Sequence, residues 1–301
     1  MDATAQSDSN WPALPLDAWQ DTYDTLKMWT QVAGKIRMTL SPKSNHWWHT
    51  TLYVNSHGLT TSSIPHRGGL FEIQFDFLEH QLAVQTSTDS KSFPLAPEPV
   101  AAFYARLMAT LRSLGIEVQI NTRPQEVPDA IPFEKDYRHA SYDRDYANRW
   151  WRILVSSDIV MNEFRSRFIG KCSPVHFFWG SFDLACTRFS GRPAPPRKGV
   201  ITSEAYSHEC ISAGFWPGAG PVAGPAYYSY TAPQPPGIAD EAVRPAAAFW
   251  HKDFSEFILM YEDVRRAESP RAALLDFLES TYAAGAKRAN WDRAALERGG
   301  F

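Results

Sequence analysis

An alternation of apolar and polar residues between positions 71 and 86 is the feature that most constrains the fold of this chain. Four apolar side chains recur at every second position, with acidic or amide residues between them: Phe71, Ile73, Phe75 and Phe77. A short turn near residues 79–80 precedes a second alternating segment, at positions 82–86. This period of two is typical of strands with one buried face, so the segment predicts an antiparallel β-hairpin.

Helical spacing predicts four further elements. Apolar residues three or four apart mark helices at residues 15–29, 100–114 and 142–168. Ser269 as N-cap and Pro270 at the first helical position predict a final helix. Alternating or β-rich segments predict more strands, at residues 35–40, 49–54, 116–120, 175–189, 204–215, 226–231 and 254–261.

The order of these elements predicts an α+β protein with antiparallel sheets and helices packed on one face. Several strands followed by a helix occur twice. We therefore expect a single domain over residues 11–301, with two similar halves at about 11–140 and 141–301. The polar segment 1–10 is predicted to be a disordered tail. The absence of β-α-β alternation with glycine-rich turns argues against a Rossmann-type sheet.

Composition restricts the classes of partner. Hydrophobic residues make up 44% of the 301 residues, and the net charge is −3 without a basic stripe. We therefore expect no nucleic-acid partner and no membrane partner. Three cysteines without a C-x-x-C pair, and an N-terminus unlike a signal peptide, favour the cytoplasm. The oligomeric state is not predicted.

The segment 170–192 combines polar and aromatic side chains more densely than the rest of the chain. Histidine and carboxylate residues here and in the next predicted strand are candidate acid–base groups or metal ligands: His176, Asp183, His208 and Glu209. Adjacent residues of a strand point to opposite faces, so the four converge only at a turn or bulge. Buried, hydrogen-bonded side chains are the alternative reading. The sequence leaves open whether a metal or an organic cofactor is bound.

Four further residues are candidates for substrate binding: His49, Trp179, Arg188 and Trp216. His49 shares the more polar face of its predicted strand. Arg188 has a guanidinium that can bind an anionic group, or can pair internally with Asp183 or Glu209. His46, three residues before His49, is a weaker candidate for a joint metal site because the segment is predicted to be extended.

Several longer motifs carry a family resemblance: Trp48-His-Thr-Thr-Leu52, Ser173-Pro-Val-His-Phe-Phe-Trp-Gly-Ser-Phe-Asp-Leu-Ala185, Ser207-His-Glu209 and Ser212-Ala-Gly-Phe-Trp-Pro-Gly218. With these motifs, which extend over nearly the whole chain, the sequence resembles the DUF5996 family of uncharacterised bacterial proteins. The resemblance implies a single domain of this length and a bacterial source. It implies no activity.

The residues themselves favour a cytoplasmic enzyme that acts on a small organic molecule in a pocket of histidine, carboxylate and aromatic side chains. A non-catalytic small-molecule binding protein is one alternative. A structural or interaction protein with an aromatic core is another.

Overall fold

The computed structural model describes residues 10–299 and contains, within that range, seven α-helices and two six-stranded antiparallel sheets. The predicted α+β class is confirmed. The tail predicted for residues 1–10 lies, except for Asn10, outside the described residues. None of the helices in the described range has the length and apolar character needed to cross a membrane.

The first half contains one sheet and two helices: α1 (Leu16–Leu40), β1 (Tyr53–Val54), β2 (Gly58–Thr60), β3 (Ile64–His66), β4 (Gly69–Asp76), β5 (Gln81–Thr86), β6 (Ser90–Pro94) and α2 (Val100–Ser113). The strand order is β1-β2-β4-β5-β6, and β3 also pairs with β4. The predicted hairpin is β4–β5, in which Ile73 lies opposite Val84.

The second half contains the other sheet and five helices: α3 (Arg144–Ser166), β7 (His176–Phe178), β8 (Asp183–Pro193), α4 (Val200–Ala205), β9 (His208–Trp216), β10 (Ala226–Ala232), β11 (Phe249–His251), β12 (Glu256–Met260), α5 (Tyr261–Arg265), α6 (Pro270–Arg288) and α7 (Arg293–Leu296). The strand order is β11-β12-β10-β9-β8-β7. Ser269 caps α6 by accepting a hydrogen bond from the Ala272 amide, as predicted.

One large apolar core runs through both halves. Trp150 of α3 lies at its centre, with its ring 6.2 Å from that of Trp19 in α1 and 5.6 Å from that of Phe77. A pair of backbone hydrogen bonds between Leu52 and Phe177 connects the first half to the edge strand of the second sheet. This connection positions the loop before β1 against one face of that sheet. A shared topology of the two halves stays a prediction.

Four predicted strands were wrong in whole or in part. The strand predicted at 204–215 begins only at His208, because residues 204–205 belong to α4. Residues 35–40 belong to helix α1, because Val32, Ala33 and Ile36 continue the helical stripe that begins at Trp19. Residues 116–120 form no strand and pack on the core as a loop. Of residues 49–54, only Tyr53–Val54 form a strand, because a 3₁₀ turn at Asn45–Trp47 redirects the chain.

Candidate functional site

A cavity of about 970 Å³ lies on one face of the second sheet. Its floor consists of side chains at alternate positions of four neighbouring strands: Asp183, Ala185, Thr187 and Phe189 of β8, Cys210, Ser212 and Trp216 of β9, Tyr228 and Tyr230 of β10, and Glu256 and Ile258 of β12. Alternate residues of a strand share a face, so one sheet surface supplies both acidic and aromatic groups. The volume is that of a small-molecule site.

Loops and helix α4 form most of the remaining wall. They are the loop at residues 46–50, Gln125 and Glu126, the β7–β8 turn, and helix α4. Left-handed backbone conformations occur at three of these lining residues, His46 (φ 55°), Trp47 (φ 63°) and Glu126 (φ 53°). Such conformations cost about 1–3 kcal/mol each in residues with a side chain, and they concentrate at functional sites.

Asp183 is the most enclosed acidic group of the cavity. Its carboxylate accepts hydrogen bonds from the hydroxyls of Tyr228 and Ser181. Tyr228 reaches it by lying across β9 at Gly214, where a Cβ atom would collide with the tyrosine ring and with the Leu184 carbonyl. The lack of a side chain at Gly214 therefore permits the contact between Tyr228 and Asp183.

Burial shifts the protonation of two carboxyls toward neutral pH. Desolvation raises the pKa of Asp183 to about 6, although the hydrogen bonds from Ser181 and Tyr228 oppose the shift. Desolvation, reinforced by the charge of Asp183, raises the pKa of Glu256 to about 7. Glu126 adds a third carboxyl to the wall and contributes to the shift at Asp183. Two groups of the cavity can thus exchange protons near pH 7.

Tyrosines extend the polar network along the floor. The rings of Tyr228 and Tyr230 stack with centroids 6.1 Å apart, and the Tyr230 hydroxyl lies 3.1 Å from that of Tyr206. Burial raises the pKa of all three phenols, so they remain protonated and act as hydrogen-bond donors.

His46 holds α4 over the cavity. Its Nδ1 lies 3.1 Å from the Glu204 carbonyl and 3.2 Å from that of Ala205, so it carries the proton and donates. Its Nε2 accepts from the Lys171 ammonium at 2.6 Å. Desolvation and the Lys171 charge lower the pKa of His46, which agrees with a neutral ring. With both nitrogens engaged, His46 is a structural support.

His49 lines the cavity. Its Nδ1 accepts from the Ser44 amide at 3.3 Å, and its ring stacks on Trp47 at 5.5 Å. The proton is therefore on Nε2. Desolvation lowers the pKa of His49, so the neutral ring offers one N–H donor to a bound molecule.

Four of the eight predicted site residues line the cavity: His49, Asp183, Trp179 and Trp216. Trp179 packs against Gly34 of α1 and donates to the Thr50 carbonyl at 2.7 Å. His208 lies at the end of the floor, with its ring 5.9 Å from that of His46, but it does not line the cavity.

His176 lies in the wall behind Phe178, with ring centroids 4.7 Å apart. It is fully buried, and neither ring nitrogen has a hydrogen-bond partner among residues 10–299. Desolvation and the charges of Arg37 and Arg165 lower its pKa to about 3, so the ring is neutral. The structure does not bring His176 to the cavity surface.

Arg188 and Glu209 project from the opposite face of the sheet. Arg188 donates to the Phe164 carbonyl, stacks on Phe164 and Tyr282, and lies 3.8 Å from Glu279. The sequence analysis gives an internal ion pair as one of two interpretations of Arg188, but with Asp183 or Glu209 as the partner. The observed partner is Glu279. Glu209 pairs with Arg192, at 2.6 Å between Oε2 and Nη2. Adjacent residues of a strand point to opposite faces of the sheet, which explains why Arg188 and Glu209 lie on the side away from the cavity.

The four residues considered as metal ligands therefore do not converge. Within the described range, no group of three or more histidine, cysteine, aspartate or glutamate side chains is arranged to hold a metal ion.

Sequence reasoning missed Tyr228, Tyr230 and Glu256 as site residues. The two tyrosines are two positions apart in one predicted strand, and Glu256 is an acidic residue in another. The sequence therefore identifies all three as polar side chains on strand faces. Only the order of the strands brings them to Asp183.

Comparison with known proteins gives the family and nothing further. The model of a family of unknown function, DUF5996, matches residues 11–298, and the chain belongs to that family. No curated protein and no solved structure matches the chain.

Proposed function

For this member of the DUF5996 family, we propose an enzyme that binds a small organic molecule in the cavity on the second sheet and exchanges a proton with it through Asp183. One observation carries the proposal. Asp183 is a buried carboxylate in the cavity wall, it is oriented by Tyr228 and Ser181, and its pKa is raised to about 6.

The two carboxyls divide the acid–base roles. At pH 7, Asp183 is mostly ionised and can accept a proton, whereas Glu256, with a pKa of about 7, is about half protonated and can return one. Carboxyls whose environments give them different pKa values are the usual basis of acid–base pairs. Tyr228 fixes the direction of the Asp183 carboxylate because it donates to one of its oxygens.

The walls favour a flat and largely apolar molecule. Phe178, Trp179 and Trp216 line the cavity close to Asp183, and aromatic side chains bind planar groups through their faces. The Nε2–H of His49 supplies one donor for a polar substituent. His46 and Trp47 hold α4, which covers part of the cavity, by hydrogen bonds to its backbone carbonyls.

Binding is tested first. Purified protein is denatured and any released molecule is identified by mass spectrometry, and thermal shift against a library of small aromatic compounds gives further ligands. We expect Asp183→Asn and Tyr228→Phe to weaken the shift. Asp158→Asn is the matched control, because the pKa of Asp158 is likewise raised to about 6, but Asp158 is half-buried on α3, accepts a hydrogen bond from Asn162 and does not line the cavity.

Catalysis is tested next, on the compounds that bind. Each is incubated with the protein in deuterated water, and NMR records product formation or loss of a carbon-bound proton signal. We expect turnover that Asp183→Asn abolishes. Binding without turnover would contradict the enzyme and support a non-catalytic binding protein. Failure to bind any compound would contradict both functions.

We also infer a cytoplasmic location, a bacterial source, and a small molecule rather than nucleic acid or membrane as the partner. Three free cysteines and the lack of a basic stripe support the location and the partner. The family resemblance supports the source.

A further inference from the structure

Two thiols lie next to each other behind the floor of the cavity. The sulfur atoms of Cys172 and Cys186 are 3.7 Å apart. Cys186 belongs to β8 and points away from the cavity, since its neighbours Ala185 and Thr187 line it. The segment 171–173 runs antiparallel to β8, with the Ser173 amide donating to the Thr187 carbonyl and the Phe189 amide donating to the Lys171 carbonyl.

The two cysteines differ in access. Cys172 lines an open groove of about 550 Å³ together with Arg165, Ser166 and Arg298. Cys186 is fully buried. A small reagent in the groove therefore reaches Cys172 before Cys186, and Cys172 lies within 3.7 Å of Cys186.

The surroundings favour a thiolate on Cys172. The hydrogen bond from the Cys186 thiol is the main cause that lowers the pKa of Cys172, and the charges of Arg188 and Arg165 lower it further, against desolvation. The same contact and burial raise the pKa of Cys186. A thiolate beside guanidinium groups and within reach of solvent is the pattern of a reactive cysteine.

We propose that Cys172 and Cys186 form a dithiol that small hydroperoxides oxidise reversibly to a disulfide. The Cys172 thiolate attacks the outer oxygen of the peroxide. The O–O bond breaks, water or an alcohol leaves with the proton, and Cys172 becomes a sulfenic acid. The Cys186 sulfur then attacks the Cys172 sulfur, the S–O bond breaks and water leaves. A thiol reductant restores both thiols.

The geometry permits the second step. A disulfide needs about 2.05 Å between the sulfurs, so the pair must approach by less than two ångströms from 3.7 Å. Cys172 is only partly buried and faces the groove, so rotation of its side chain can bring its sulfur toward Cys186 while both backbone segments stay paired. Cys172 lies opposite Arg188 in an antiparallel backbone bridge, which fixes the register of the two segments.

The test uses the full-length protein and hydrogen peroxide. Folded protein is treated with a small excess of peroxide, unfolded, alkylated with iodoacetamide and mapped by mass spectrometry. We expect a Cys172–Cys186 disulfide that dithiothreitol reverses, while Cys210 is still alkylated. Cys210 is a suitable internal reference because it is buried and its pKa is raised to about 12.

Two variants make the order of events visible. Cys186→Ser should stop at a sulfenic acid on Cys172 that dimedone traps, and Cys172→Ser should leave Cys186 unoxidised. Circular dichroism confirms that both variants fold. Oxidation of Cys210 before Cys172, or a Cys172 sulfinic acid in the parent protein in place of the disulfide, would overturn the proposal.

Discussion

The two six-stranded sheets use their faces differently. In the first sheet one face buries Phe71, Ile73 and Phe75 against helices, and the other carries half-buried polar residues such as Glu72, which accepts from Thr60. In the second sheet both faces are covered, and β9 has six consecutive buried residues, Cys210 to Phe215. One of its faces packs on α3 and α6, and the other forms the cavity floor.

The difference shows where a sheet can acquire a site. A sheet with one dry and one wet face gives a clean alternation in the sequence, as β4 does. A sheet covered on both sides must place every polar group against a partner or a cavity. Asp183, Glu256 and Tyr228 lie on the face of the second sheet that is covered by loops and by α4. The cavity lies between these side chains and that cover.

The largest predicted effect is a loss of stability on acidification, and it is caused by His176. Its pKa is about 3 in the folded protein and about 6.5 in the unfolded chain, so the unfolded chain binds the proton first. The contribution of His176 to the free energy of unfolding is therefore at its maximum above pH 6.5. It decreases as the pH falls toward 3, by about 5 kcal/mol in total. Urea unfolding of the parent and of His176→Leu, between pH 4 and 8, measures the difference.

His176→Leu should keep or raise stability at pH 8, because the substitution removes two ring nitrogens that have no partner among the described residues. Asp183 acts in the opposite direction, since its raised pKa stabilises the protein below about pH 4 and that contribution is lost as the pH rises through 6. It is present in both proteins, so it cancels in their difference. Parallel pH curves would contradict the burial of a neutral His176.

Truncation of a core residue gives the next largest effect. Leu107 of α2 is fully buried, so Leu107→Ala should cost about 2–5 kcal/mol of unfolding free energy. Ile201 of α4 lines the cavity and is half exposed, so Ile201→Ala should cost less than about 1 kcal/mol. Denaturant melts measure both losses of unfolding free energy. If Ile201→Ala cost as much as Leu107→Ala, α4 would be packed as tightly as the core and would not be a loosely packed cover of the cavity.

Sequence reasoning was strongest where one face alternates or one stripe repeats. The β4–β5 hairpin, α2 and α3 follow directly from their periodicity. It failed at residues 35–40, where a polar–apolar alternation over six residues also fits the last turns of a helix.

For the site, sequence reasoning found residues but not their neighbours. His49, Asp183, Trp179 and Trp216 line the cavity, because polar and aromatic groups stood out in their segments. Alternation within β8 is enough to place Arg188 on the face opposite Asp183. The face of Glu209 relative to Asp183, and the approach of Tyr228 to Asp183, depend on register and strand order, on which periodicity within one segment carries no information.

The smallest effect, and the most specific to the second sheet, is expected at Gly214. A Cβ atom there meets the Leu184 carbonyl and the Tyr228 ring, so Gly214→Ala should displace Tyr228 and cost about 1–3 kcal/mol. Gly69 of β4 is the matched control in the first sheet, because its added Cβ meets nothing closer than the His66 carbonyl at 3.7 Å. Gly69→Ala should change stability by less than about 0.5 kcal/mol. Denaturant melts compare the two variants, and Tyr228→Phe shows separately what the hydrogen bond to Asp183 contributes without a collision. If Gly214→Ala were as stable as the parent, Tyr228 would not lie across β9, and its contact with Asp183 would have to be abandoned.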